Sequence, residues 1–223
     1  MLMIKAVIFD WDGTLADTRK VVVQSFQTVL KEAGCRVSDE FIVRRIGIGT
    51  KKTIIDAFRE CSMRLDVSTL EKLADEKVNI QAEFSDSVYL FDGITELLEA
   101  LQRKTKIALA TMSGRKVIDK LLQAKRLTAY FDVVISADDV TYPKPDSEIF
   151  LKTAKKMGVS PKDCVVIEDS VFGLRAAKTA NMKCIAVPSG AYTKNELEHE
   201  QPDLIVSSLR EKERILAFVF TDK

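Results

Sequence analysis

Four apolar runs in this chain each end in residues equipped for chemistry. VIFDWDGT (7–14) places Asp10 and Asp12 two apart, followed by Gly13 and Thr14. KIALATMSG (106–114) ends in Thr111, Met112 and Ser113. DDVTYPKPD (138–146) holds Lys144 between two prolines, and CVVIEDS (164–170) ends in Glu168 and Asp169. Singly, each has an ordinary reading. An aspartate after a strand bonds turn amides, a threonine caps a helix, a lysine is solvated, and an acidic pair sits at a helix N-terminus. Jointly, the four supply the parts of one site for phosphoryl transfer. Asp10, Asp169 and Glu168 offer the hard oxygens that Mg²⁺ selects. Thr111, Lys144 and the amides of a helix start near Met112 offer donors to phosphoryl oxygens. The Asp10–Asp12 doublet leaves one carboxylate for nucleophilic attack and one for carrying a proton.

The elements that must position these residues follow from hydrophobic period. Residues 3–9 (MIKAVIF) are almost all apolar, as in a strand covered on both faces. Val22, Phe26, Val29, Leu30 and Ala33 then recur at helical steps, and Gly34 closes that helix. Helical patterns continue over about 38–46, 51–62 and 66–84, so 16–86 is expected to be an all-helical block. Beyond it, helices and strands alternate: strands at 106–111, 132–137, 164–169 and 184–188, a last one near 203–208, and a C-terminal helix. That rhythm predicts an α/β fold with a Rossmann-like parallel sheet. The core is expected over 1–15 and 87–223, with 16–86 inserted as a helical cap. In such sheets ligands bind beyond the carboxyl ends of the strands, where all four polar endings fall.

Composition narrows the partners. The chain has 223 residues, and 34 Lys plus Arg against 33 Asp plus Glu leave a net charge of +1. No like-charge block points to nucleic acid or a membrane surface, so a small-molecule phosphate ester is the expected partner, with the chain a monomer or weak homodimer. The four cysteines (Cys35, Cys61, Cys164, Cys184) have no C-x-x-C spacing, and no signal peptide or long apolar span is read, which predicts a reducing cytoplasm. The single histidine, His199, lies in a polar acidic stretch, so histidine-based serine or cysteine catalysis has no candidate base.

At these residues the sequence resembles the haloacid dehalogenase superfamily along essentially the whole chain, in the branch of phosphoglycolate phosphatases and beta-phosphoglucomutases. DWDGTLADT, ALATMSG, KPDSEIF and VVIEDSVFGLRAA resemble the family's four motifs in order, and the helical insertion resembles its small cap. The resemblance implies that Asp10 forms an aspartyl-phosphate and that Asp12 protonates the leaving oxygen and then activates water. It also implies Mg²⁺ on Asp10, the Asp12 backbone carbonyl and Asp169, with Glu168 close by. Thr111 and Lys144 would hold phosphate, aided by amides near Gly13 and Met112. The family commonly has asparagine where Met112 stands, so only the backbone there keeps that role. Asp12 argues against C–halogen chemistry, whose enzymes lack the second aspartate.

The cap segment RRIGIGTKK (44–52) resembles the G-x-G loop of phosphoglycolate phosphatases. Gly47 and Gly49 are expected to turn into the site, with Arg45, Lys51 or Lys52 meeting an anionic substrate. The expected activity is therefore Mg²⁺-dependent hydrolysis of a small phosphomonoester, phosphoglycolate first and sugar phosphates second. A phosphosugar mutase is the alternative, although Val22 stands where mutases of this fold carry a cap histidine. A phospho-signalling receiver domain would place its aspartate on a later strand and lack the cap. A non-catalytic member of the fold would show no hydrolysis across an ester panel.

Overall fold

The structure, a computed structural model, describes residues 4–220. In chain order its elements are β1 (Ala6–Phe9), β2 (Ala16–Asp17), α1 (Arg19–Glu32), α2 (Asp39–Val43), α3 (Thr50–Glu60) and α4 (Val67–Glu83). Then come β3 (Tyr89–Leu90), α5 (Ile94–Leu101), β4 (Lys106–Ala110), α6 (Arg115–Ala124), β5 (Val133–Ile135) and α7 (Glu148–Met157). The chain finishes with β6 (Cys164–Glu168), α8 (Val171–Thr179), β7 (Lys183–Ala186), α9 (Lys194–His199), β8 (Leu204–Ile205) and α10 (Lys212–Phe220). Met3, at the start of the first predicted strand, lies outside the described residues.

Six strands form one parallel sheet in the order β5-β4-β1-β6-β7-β8. The run AVIF has no polar alternation because each face of the strand meets a different apolar layer. Val7 and Phe9 join Ile107, Leu109, Val165 and Ile167 under α5, α6 and α10, through Leu97, Leu98, Val117, Leu121 and Ile215. Ala6 and Ile8 join Ala108, Ala110, Val166 and Cys184 under α7 and α8, through Phe150, Ala154, Leu174 and Ala177. The second layer is lined by alanines on the sheet side, which lets α7 and α8 approach closely.

Helices α1 to α4 bury a separate cluster of Val22, Phe26, Leu30, Ile42, Ile54, Phe58 and Leu73. Residues 16–17, expected at the start of the helical block, instead form β2, which pairs antiparallel with β3. These two short strands are the stems by which the chain leaves the sheet and returns. Their pairing satisfies backbone groups that a helix starting at 16 would have left at its frayed end. His199 ends α9 and is exposed, as its polar surroundings suggested, while the helix itself was not legible in that stretch.

Candidate active site

Asp10 follows β1 directly, its N–H donating to Ile167 O at 3.1 Å on the neighbouring β6. The residues after it are folded back around one carbonyl: Trp11 O accepts from the N–H groups of Thr14, Leu15 and Ala16 at 3.0–3.3 Å. The Trp11 ring is fully buried in the core, so this residue fixes the turn that separates the two aspartates. Gly13 sits in that turn at φ +84°, and a Cβ there would come within 2.3 Å of Asp169 Oδ2. Its N–H is engaged by Ala16 O at 2.9 Å, so the Gly13 amide, expected to bind phosphate, closes the turn instead.

Lys144 is the electrostatic centre of the site. Its Nζ donates to Asp10 Oδ1 and to Glu168 Oε1, both at 2.6 Å, and to Ala110 O at 3.3 Å. The side chain is fully buried. Burial alone would depress its pKa, but Asp10 and Glu168 outweigh that and hold the ammonium above its usual range. Glu168 Oε2 accepts from the Asp169 N–H, the Ser170 N–H and Ser170 Oγ, so this carboxylate organises the turn from β6 into α8. Asp169 accepts from Thr14 Oγ1 at 3.0 Å. Asp12 accepts from Ser113 Oγ at 2.6 Å, with Thr111 Oγ1 at 3.5 Å. Thr111 in turn accepts from the Ser113 N–H. Asp12 Oδ1 is buried, and no donor among the described residues reaches it.

The strand-end residues Asp10, Asp12, Thr111, Lys144, Glu168 and Asp169 are all buried and converge at the carboxyl edge of β1, β4 and β6. Oxygens of Asp10, Glu168 and Asp169 lie within 4.8 Å of one another. Three buried carboxylates against one ammonium carry excess negative charge in a low-dielectric place, which is costly without a further cation. Accordingly, Asp10 is held well above the usual carboxylate range by burial, with Lys144 opposing. Asp169 is raised likewise by burial, then by the Glu168 and Asp10 charges. An all-oxygen set of this kind fits a hard divalent ion such as Mg²⁺.

The cap-side residues divide. Gly47 and Gly49 adopt φ +96° and +90°, and the loop they bend reaches the core: a Cβ on Gly47 would lie 3.6 Å from Ser170 Oγ, and one on Gly49 3.0 Å from Met112 Cε. Arg45 borders a cavity of about 20 Å³ shared with Asp12, Val22, Phe26, Gly49 and Ser113, although its own guanidinium bonds Phe41 O and lies 3.6 Å from Asp56. Lys51 and Lys52 are not brought to the carboxylates. They pair with Glu71 and Asp56, bordering a cleft of about 380 Å³ between cap and core with Val78, Met112 and Asp138, which shares Gly49, Thr50 and Met112 with the smaller cavity. Met112 itself packs in the core, so its side chain adds no polar group to the site.

Three site residues were given no role by the sequence reading: Thr14, Ser113 and Lys77. Lys77, on α4, is buried, donates to Gln81 Oε1, and places Nζ 4.5 Å from the Phe26 ring centre. It opens on the same cavity as Asp12. Burial lowers its pKa to about 8, with the Asp12 charge opposing. The sequence signal was present, because Lys77 and Gln81 continue the buried stripe of Leu73 and Ala74. A lysine on an apolar helix stripe calls for an explanation.

Comparison with known proteins points to one family. A family model described as haloacid dehalogenase-like hydrolase matches residues 7–187. The chain is 34% identical over 189 residues to the putative phosphatase YhcW of Bacillus subtilis, covering 84% of each. It is 32% identical over 182 residues to the fructose-1-phosphate phosphatase YqaB of Escherichia coli, covering 81% of this chain and 95% of that one. Among solved structures, beta-phosphoglucomutase from Clostridium difficile superposes with a TM-score of 0.85 at 26% identity, covering 94% of this chain and 93% of that one.

Proposed function

The chain belongs to the haloacid dehalogenase-like hydrolases, and on that premise we propose that it is a Mg²⁺-dependent phosphatase that hydrolyses a small sugar phosphate through an aspartyl-phosphate on Asp10. It is a phosphoric monoester hydrolase. The observation that carries the finer reading is the placement of Lys144 Nζ 2.6 Å from Asp10 Oδ1 inside the buried carboxylate cluster. Lys144 restrains one oxygen of Asp10, and the other carries no hydrogen bond from the described residues. That free oxygen is the nucleophile.

Asp10 attacks phosphorus and the ester oxygen departs, taking the proton of Asp12 through the otherwise unpartnered Oδ1. Asp12, now ionised, accepts a proton from the water that attacks the aspartyl-phosphate, releasing inorganic phosphate and restoring Asp10. Ser113 and Thr111 keep the Asp12 carboxyl oriented between these two transfers. When bound, Mg²⁺ would be held by Asp10, Asp169 and the Asp12 carbonyl, and it supplies positive charge to the phosphoryl oxygens. Glu168 holds Lys144 and the 168–170 turn beside them.

Helices α1 to α4, with the Gly47–Gly49 loop, act as the cap over this site. Sugar phosphates are placed ahead of phosphoglycolate for two reasons. The E. coli relative is named a fructose-1-phosphate phosphatase. The cap also offers the Lys77 ammonium on the cavity that holds Asp12, whereas Lys51 and Lys52 are engaged in ion pairs with Glu71 and Asp56. Mutase chemistry is disfavoured because Val22 lines that same cavity with an apolar side chain. The test is phosphate release with and without Mg²⁺ across hexose and pentose phosphates, phosphoglycolate, pyrophosphate and an aryl ester. Turnover of a sugar phosphate that requires Mg²⁺ and vanishes in Asp10→Asn is expected. Metal-independent release, or release retained by Asp10→Asn, overturns the mechanism.

A further inference from the structure

In the cap, away from the acidic cluster, two thiols meet. Cys35 follows the end of α1, and Cys61 follows the end of α3. Their sulfurs lie 2.6 Å apart, against about 2.05 Å in a disulfide bond. Both backbones are anchored there, Cys35 N–H on Leu30 O and Cys61 N–H on Ala57 O, each at 2.9 Å. Cys35 Sγ also donates to Ala57 O at 3.3 Å, which holds it against α3. Cys35 is fully buried while Cys61 is partly exposed. Cys164 and Cys184, the other two thiols, lie in the sheet core and belong to a different apolar cluster.

We propose that Cys35 and Cys61 are a redox modification site: hydrogen peroxide, or a small-molecule disulfide such as oxidised glutathione, converts them into an intramolecular disulfide. With peroxide, the Cys61 thiolate attacks one oxygen, the O–O bond breaks, and Cys61 becomes a sulfenic acid as hydroxide leaves. The Cys35 sulfur then attacks the Cys61 sulfur, its proton and the departing hydroxyl leaving as water. In total, two thiols and one peroxide give one disulfide and two waters. With a small-molecule disulfide, Cys61 first forms the mixed disulfide and Cys35 displaces the second thiol. The order is set by access. Burial pushes the Cys35 thiol up to about 12, so it stays protonated until its partner has been activated.

The bridge closes a loop over 35–61, the segment that carries α2, the Gly47–Gly49 loop and α3. It therefore staples the part of the cap that faces the site while touching none of the catalytic residues. Cross-linking a loop of this length restricts the unfolded chain and raises stability.

The test uses the reduced full-length protein treated with hydrogen peroxide or oxidised glutathione, then digested with trypsin without reduction. The expected product joins the peptide 32–36 to the peptide 60–64, lighter than their sum by two hydrogens and lost on adding dithiothreitol. The oxidised protein should melt at least about 4 °C above the reduced protein. Cys61→Ser should leave Cys35 reduced. Cys35→Ser should leave a Cys61 sulfenic acid that dimedone captures, which keeps the test valid if either serine variant is less stable. Recovery of both thiols unmodified, a bridge through Cys164, Cys184 or a second chain, or an unchanged melting point would overturn the proposal. These readouts need no enzyme activity, so they stand or fall separately from the phosphatase reading.

Discussion

Replacing Lys77 by methionine isolates what a buried ammonium costs this fold. Methionine keeps most of the side chain's length and its packing beside Phe26 but cannot ionise. The lysine titrates near 8 in the folded chain against 10.5 as its ordinary value. Each tenfold step in proton affinity is ~1.36 kcal/mol, so the charged form costs the fold roughly 3 kcal/mol at pH 7. The sign follows from a depressed lysine. Above pH 8 the folded chain has released this proton while the unfolded chain still holds it, so stability rises with pH until both are neutral near 10.5. Measured as the difference between the two proteins, wild type should gain about 2 kcal/mol on Lys77→Met between pH 7 and pH 9.5. Other titrating groups cancel in that difference. The assay is urea denaturation of both proteins at several pH values, with linear extrapolation to water. A difference that stays flat across this range would refute the claim that α4 holds Lys77 desolvated. The same variant should raise KM for a sugar phosphate about tenfold with kcat little changed, as expected of an ammonium proposed to bind substrate rather than to move a proton.

Other perturbations probe the cluster directly. Asp12→Asn should lower turnover by about 10²- to 10⁴-fold while retaining the wild-type circular dichroism spectrum, because it removes the proposed proton carrier and not a core contact. Lys144→Met should destabilise the protein by about 3–5 kcal/mol in urea, since Asp10 and Glu168 are left buried and unpaired. Its activity should also fall to background in the phosphate-release assay. Chelation by EDTA should abolish activity and leave a protein that loses stability as pH rises above about 4. The reason is that the raised pKa values of Asp10 and Asp169 favour folding only while those groups hold protons. Readded Mg²⁺ should restore both the activity and the melting temperature at neutral pH, and thermal melts at graded pH check both halves of this expectation.

By itself, the sequence determined the strands, most helices and the chemistry of the strand ends. Uninterrupted short runs such as AVIF and CVVIE, set in a strand–helix alternation, point to a parallel strand covered on both faces, and the residue that ends such a run lies at the carboxyl edge. Asp10, Asp12 and Asp169 were legible for that reason, and Lys144, in the loop beyond β5, through its place between two prolines. What the tertiary structure decided was partnership. That Lys144 bridges Asp10 to Glu168, 134 and 24 residues away, depends on how β1 and β6 pair. The Gly13 amide is taken by Ala16 because the turn folds around Trp11 O, which no residue pattern announces. Lys51, Lys52 and Arg45 share a segment, yet Lys51 pairs with Glu71 while Lys52 and Arg45 both reach Asp56. Successive residues on a helix point about 100° apart, so nearness in sequence does not put side chains in one place. Lys77 shows the converse. Its place on the apolar stripe of α4 could be read from the sequence, but only the packing of α4 against α1 and over Asp12 makes it a buried charge.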